Sequence, residues 1–240
     1  MTIAGKDNFN WFRGLAIGGF FPLVFLVLGA DSVWFSTNQF QGQLIADILS
    51  ALFFLALLLV LDSEERLMAL VFIPFSALAE YLFSSVLGIY TYRLESVPLY
   101  VPLGHAILFS TGLMLAKVRA IADQEFLPRL LLIIQGTILI IMLMGFQDFF
   151  SALLALLFGL VVWWRSYRLI YSIMCFLVLY IELIGTGFGC WIWQNSAFGV
   201  LPTTNPPFGA FVFYVFGDIA ILKMINYLNS RSQLSKNSST

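Results

Sequence analysis

Apolar runs of about twenty residues, the length of helix that crosses the hydrocarbon core of a bilayer, recur along the chain with short polar breaks between them. Eight segments qualify, at 13–30, 43–61, 67–90, 99–117, 130–147, 148–164, 169–192 and 208–227. The pattern therefore predicts an all-α, polytopic membrane protein with eight transmembrane helices. The breaks carry helix signals of their own. Asp62-Ser63-Glu64-Glu65 reads as a capping box, with Asp62 as N-cap and Glu65 at the third helical position. Asn205-Pro206 reads as an N-cap followed by proline at the first helical position, which starts the eighth helix there. Only Gln147-Asp148 separates the fifth and sixth runs, so that hairpin is expected to be tight. Pro22 and Pro74 fall inside spans, where packed neighbours can satisfy the freed backbone groups. Residues 1–228 form one transmembrane domain on this reading. Residues 229–240 are a polar tail, too short and hydrophilic to fold alone and expected to be disordered.

Composition sharpens this picture. The chain is 60% hydrophobic and 10% charged, with a mean hydropathy of +0.93, whereas soluble domains are roughly 25% charged. A formal net charge of −1 excludes the concentrated basic face that nucleic acid requires. Lys6 and Arg13 precede the first run in the order of a signal peptide. That run ends in Ala30-Asp31-Ser32-Val33-Trp34-Phe35, which suits an interfacial loop better than a cleavage site, so it reads as a retained span.

Lysine and arginine favour cytoplasmic loops and so check the span count. Lys6, Arg13, Arg66, Lys117, Arg119, Arg129, Arg165, Arg168, Lys223, Arg231 and Lys236 fall on one side of an eight-span topology. Of the twelve basic residues only Arg93 falls on the other. Both termini are thus expected in the cytoplasm. Trp34, Tyr90, Tyr92, Trp191 and Trp193 gather at the outer interface as an aromatic belt, with a ligand cage as the alternative. Cys175 and Cys190, about 22 Å apart if on one helix, cannot pair and read as buried apolar residues.

One phrase occurs twice. Glu80 is followed by Gly88-Ile89-Tyr90-Thr91-Tyr92, Val97-Pro98, Pro102 and Gly104; Glu182 is followed by Gly189-Cys190-Trp191-Ile192-Trp193, Leu201-Pro202, Pro206 and Gly209. Both acids lie on spans that cross in the same direction. The echo thus describes a parallel repeat of four plus four helices, with halves 13–117 and 130–227 and a pseudo-axis along the membrane normal. Convergent use of glycine and interfacial aromatics at two helix ends is the other explanation.

Four carboxylates interrupt the spans: Asp47, Glu80, Glu182 and Asp218. Such residues are costly in hydrocarbon and are usually functional or paired. At 1.5 Å per residue, Glu80 and Glu182 lie about 15 Å inside the outer boundary, Asp218 about 14 Å, His105 about 10 Å and Asp47 about 7 Å. These depths outline a polar cavity opening outward, with Glu80, Glu182 and Asp218 at its floor. Spans three, four, seven and eight are expected to form the centre, with Glu80 and Glu182 facing each other across the pseudo-axis. The loops 91–98 and 193–207 would lie side by side above them, with Asn205 near the mouth. Each residue also has a plainer reading. Glu80 and Glu182 can act as neutral acids gluing helices together, His105 can hydrogen-bond a neighbouring helix, and Asp47 can be solvated. Arg93 can bind an anionic headgroup or pair with Glu95.

Known chemical signatures are absent: there is no Gly-x-Ser-x-Gly elbow, His-Glu-x-x-His or phosphate loop. A single histidine excludes histidine-rich di-iron sites and bis-histidine haem ligation within one chain. It leaves only His105 with two carboxylates as a metal arrangement, and no metal is expected. No cofactor can be named. The stretches Val97-Pro98-Leu99-Tyr100-Val101-Pro102-Leu103-Gly104-His105 and Asn205-Pro206-Pro207-Phe208-Gly209, with Asp218 following, resemble an uncharacterised family of bacterial multi-pass membrane proteins. That resemblance covers spans three, four, seven and eight and implies a bacterial plasma membrane. More faintly, Glu80, Gly88, Tyr90-Thr91-Tyr92 and Val97-Pro98 are similar to carotenoid-biosynthesis membrane proteins of the hydratase type, which implies a long apolar substrate. Trp191 and Trp193 replace the tyrosines in the second half.

The expected function is an intramembrane enzyme acting on a lipid or isoprenoid. Acid chemistry would come from Glu80 and Glu182, with His105 and Asp218 beside them. Tyr90, Tyr92, Arg93, Trp191, Trp193 and Asn205 would bind substrate, and membrane lipids are the expected partners. A proton-coupled small-molecule transporter and a non-catalytic assembly or scaffold protein are the alternatives.

Overall fold

The computed structural model describes residues 11–36, 40–165 and 169–237. Lys6 and Arg168 of the charge count, and residues 238–240 of the tail, lie outside the described residues. The chain is all-helical apart from short strands: α1 (Trp11–Ala30), α2 (Phe40–Val60), α3 (Ser63–Glu80), β1 (Tyr90–Tyr92), α4 (Tyr100–Lys117), α5 (Arg119–Ala122), α6 (Leu127–Phe146), α7 (Phe149–Arg165), α8 (Leu169–Gly187), β2 (Trp191–Trp193), β3 (Ser196–Ala197), β4 (Leu201–Pro202) and α9 (Phe211–Asn237). Among the described residues, six helical stretches are long and apolar enough to cross a membrane: Trp11–Ala30, Gln41–Val60, Ser63–Val86, Leu127–Phe146, Leu169–Gly187 and Phe208–Ile225. The protein is therefore membrane-embedded. The other two of the eight expected spans are α7, which is apolar but shorter, and α4, which carries His105 and Lys117.

The helices arrange around α4, twelve of whose eighteen residues are buried. α3 packs on α4, α4 on α8, α8 on α9 and α9 back on α3, closing a ring of four. Glycine permits the closest approach in this ring. A Cβ on Gly112 would lie 2.4 Å from Met174 Sδ, so α4 and α8 interlock through a small residue, as packed membrane helices commonly do. α1 and α2 pack together and on α4, while α6 packs on α7 and α8. Gln135 is the only buried residue of α6, so that helix faces lipid.

The capping box at Asp62 is present: the backbone amides of Glu64 and Glu65 donate to Asp62 Oδ1 at 3.0 and 2.9 Å, and the Asp62 amide donates to Glu65 Oε2 at 3.0 Å. Buried Glu65 also accepts from Arg13 on α1 at 2.7 Å and from Lys117 on α4 at 2.6 Å, tying three helices at one end of the bundle. The α6–α7 hairpin turns on Gln147, which sits in the left-handed region at φ 58°.

Three expectations about element ends are corrected. The third and seventh helices do not run to 90 and 192. α3 continues as a π-helical turn over Tyr81–Val86, α8 stops at Gly187, and strands follow both. The eighth helix does not start at Asn205-Pro206. A 3-10 turn at Phe208–Ala210 leads into α9, and the backbone amides of Phe208 and Gly209 donate to Asp148 Oδ2 at 3.3 Å and Ser151 Oγ at 2.7 Å. The cap is thus supplied by another helix, while Asn205 Oδ1 accepts from the Trp193 amide at 3.0 Å. At its other end α9 continues to Asn237, past the apolar run and into the polar tail.

Candidate functional site

Each acid is reached by the motif that follows it. Gly88 and Gly189 adopt φ 59° and 71°, a left-handed conformation that glycine enters without steric cost, and each turns its helix end into a strand. β1 and β2 then pair antiparallel, with Tyr90 opposite Trp193, Thr91 opposite Ile192 and Tyr92 opposite Trp191. The Arg93 amide donates to the Cys190 carbonyl and the Gln194 amide to the Ile89 carbonyl, both at 2.9 Å, extending the ladder. Strand alternation turns Tyr90, Tyr92, Trp191 and Trp193 inward and leaves Thr91 and Ile192 exposed. Tyr90 and Tyr92 hydroxyls donate to Glu80 Oε2 at 2.6 and 2.5 Å. Trp191 and Trp193 indole N–H groups donate to Glu182 Oε2, both at 2.9 Å.

This geometry corrects the belt reading. Of the five aromatic residues only Trp34 is exposed; the other four bring their polar tips to a buried carboxylate. The depth of about 15 Å, which assumed an unbroken helix, also fails, because the chain folds back and sets the Tyr90 hydroxyl on Glu80. No helical period could show this, since the contact depends on a strand formed between segments a hundred residues apart.

His105 completes the first half of the site. Its Nδ1 lies 2.9 Å from the Val101 carbonyl, which can only accept, so Nδ1 carries a proton. Its Nε2 lies 3.1 Å from Glu80 Oε1, so one proton is shared between imidazole and carboxyl. The two phenols donate to the other oxygen and leave that shared proton as the mobile one. The Tyr214 ring on α9 stacks flat on His105, with centroids 4.9 Å apart and planes within 4°. Glu182 Oε1 takes no hydrogen bond from the described residues. Glu80, Tyr90, Tyr92, His105, Tyr214 and Glu182 all line one cavity of about 130 Å³, whose remaining walls are largely apolar side chains of α1, α3, α4 and α9. No group of three His, Cys, Asp or Glu side chains placed to hold a metal ion occurs among the described residues.

Three of the expected site residues lie elsewhere. Asp218 is fully buried on α9 but does not line the cavity, and neither of its oxygens has a partner among the described residues. Arg93 is bound inside the protein, so neither a headgroup nor Glu95 is its partner. Its guanidinium pairs with Asp31 Oδ1 at 2.5 Å and donates to the Asp31 and Ser36 carbonyls, both at 2.8 Å. Asn205 supports Trp193 from behind. Asp47 is half-buried and accepts from the Tyr100 amide at 2.7 Å, capping α4 instead of sitting in water. Burial pushes the Cys190 thiol up to about 12. It stays protonated and donates to the Leu28 carbonyl at 3.2 Å.

The residues that sequence reasoning missed were Tyr214, Asp31, Tyr100 and Gly185. Only Gly185 carried a local signal, a small residue three positions after the acid. A Cβ there would lie 2.0 Å from the edge of the Trp191 indole, a rigid ring that cannot swing aside. Gly185→Ala is expected to cost about 1–3 kcal/mol by overpacking and to lift Trp191 off Glu182. Thermal unfolding in detergent and the Trp191 indole N–H resonance check both effects.

No protein-family model, curated protein or solved structure matches the chain. The site is therefore read from its own chemistry.

Proposed function

We propose that the protein is an intramembrane enzyme performing acid–base chemistry on a lipid or isoprenoid chain. One observation carries this reading: the Glu80–His105 pair, 3.1 Å apart, lines a largely apolar cavity that Glu182 lines as well. A proton donor and a second carboxylate around a hydrocarbon-lined space suit proton transfer to and from carbon or a hydroxyl. His105 and Glu80 would hold the acid proton, Glu182 would accept or return one, and Tyr214 would orient the substrate between them.

We further propose eight spans in two parallel halves, 13–117 and 130–227, with both termini in the cytoplasm of a bacterial plasma membrane. The paired strands, the acid in each half and the left-handed glycines support the duplication. So does a likeness beyond the motif: an aspartate on or just before the second helix of each half accepts from an amide at the start of the fourth, Asp47 at Tyr100 and Asp148 at Phe208.

The test compares membrane lipids from cells carrying the protein, cells lacking it, and cells carrying Glu80→Gln with Glu182→Gln, by mass spectrometry. A lipid change on deletion that the double variant reproduces is the expected result; a double variant with wild-type lipids removes the catalytic assignment. The equal placement of two acids in parallel halves also suits a proton-coupled transporter. Proteoliposomes under an imposed pH gradient separate the two readings, because gradient-driven flux abolished by Glu182→Gln would replace the enzyme with a carrier.

A further inference from the structure

The ring is packed differently at two of its seams. At α4–α8 the helices interlock at Gly112, where the Met174 sulfur fills the place of a side chain and neither residue lines the cavity. At α3–α9 the closure is made by rings resting on a glycine: a Cβ at Gly217 would lie 3.3 Å from both the Phe72 and Phe75 rings. Phe75 lines the cavity and is also 37% exposed, so the wall at this seam is thin at its ring. Among the described residues no lysine or arginine lines the cavity, while two carboxylates do. An anionic end such as a phosphate would meet repulsion and no counter-charge. The volume of about 130 Å³ is close to the roughly 150 Å³ engineered cavity that holds one benzene. A long chain can therefore place only its end inside, and the rest must stay in lipid.

We propose that an uncharged hydrocarbon chain enters this cavity sideways from the bilayer, through the α3–α9 seam where Phe75 closes on Gly217, with only its terminal segment inside. The reason a chain should go there rests on the proposed function, but the assay below reads occupancy and not turnover.

Trp191 and Trp193 form part of the cavity wall and are buried, so they report on a quencher that enters. The full chain with Trp11, Trp34, Trp163 and Trp164 changed to Phe would be placed in phosphatidylcholine vesicles and titrated with hexadecyl bromide. The expected result is quenching of the two indoles in this protein. Gly217→Leu should slow it about tenfold, equivalent to roughly 1.4 kcal/mol of added barrier, and Phe75→Ala should speed it. Hexadecyl phosphate brominated beside its headgroup should not quench.

The two seam variants shift the rate in opposite directions, so a general loss of folding cannot imitate the pattern. Absence of quenching by hexadecyl bromide, or unchanged rates in both seam variants, would overturn the lateral entry. Equal quenching by the phosphate probe would overturn the requirement for an uncharged chain. Quenching that persists in Glu80→Gln with Glu182→Gln, together with unaltered cellular lipids, would end the enzyme reading and leave the entry route standing.

Discussion

Under the proposed acid–base function, Glu80→Gln is expected to cut turnover sharply while leaving the protein folded. The amide oxygen can accept from Tyr90 and Tyr92 as the carboxylate does, and the amide N–H₂ can donate to His105 Nε2, whose ring already carries its proton on Nδ1. Every bond in the cluster has a replacement, and only the mobile proton is lost. Turnover should fall by about 10²–10⁴-fold, the usual worth of a positioned acid or base. Glu80→Leu separates structure from chemistry. It leaves two hydroxyls and an imidazole nitrogen in a dry site without their partner, at about 1–3 kcal/mol for each unsatisfied group. Thermal unfolding should therefore show Glu80→Gln near the parent and Glu80→Leu well below it. If Glu80→Gln destabilises as much as Glu80→Leu, the shared-proton description of the pair is wrong.

Asp148→Ala should cause a large loss of stability, larger than that of Gly185→Ala. Fully buried between α6 and α7, this carboxylate accepts from the Ser151 amide at 3.0 Å, the Ser151 hydroxyl at 2.5 Å, the Thr204 hydroxyl at 2.9 Å and the Phe208 amide at 3.3 Å. It thus caps α7 and orders the loop that starts α9. Several donors, at least two of them on the backbone, would lose their acceptor together. A cost of about 3–5 kcal/mol is expected, the range for breaking a buried charged network on one side. Denaturant or thermal unfolding in detergent measures it. Asp148→Asn should recover part of the loss, because one oxygen remains to accept. If Asp148→Ala costs less than Gly185→Ala, the loop is held by something other than this carboxylate.

Much of this protein could be read along the chain. Apolar runs located each long helix, though not always its ends, because a helix in lipid must be apolar over its whole length whatever its neighbours are. The capping box at Asp62 was legible because cap chemistry is local, complete within four residues. The repeated Glu80 and Glu182 phrases marked the site for the same reason that they are rare: a carboxylate in hydrocarbon needs partners.

Which partners was a different matter. Tyr90 and Trp191 look like interfacial anchors by composition and position, and only the antiparallel ladder between segments far apart in sequence turns them inward onto the acids. Asn205 looks like a helix cap until Asp148, in the turn between α6 and α7, takes that role. Arg93 looks like the exception to the charge rule until Asp31 is found beside it. Spacing determined the helices and which apolar runs carry polar groups. The pairing of those groups, and the apolar cavity they surround, were decided by contacts between distant segments, which no local pattern encodes.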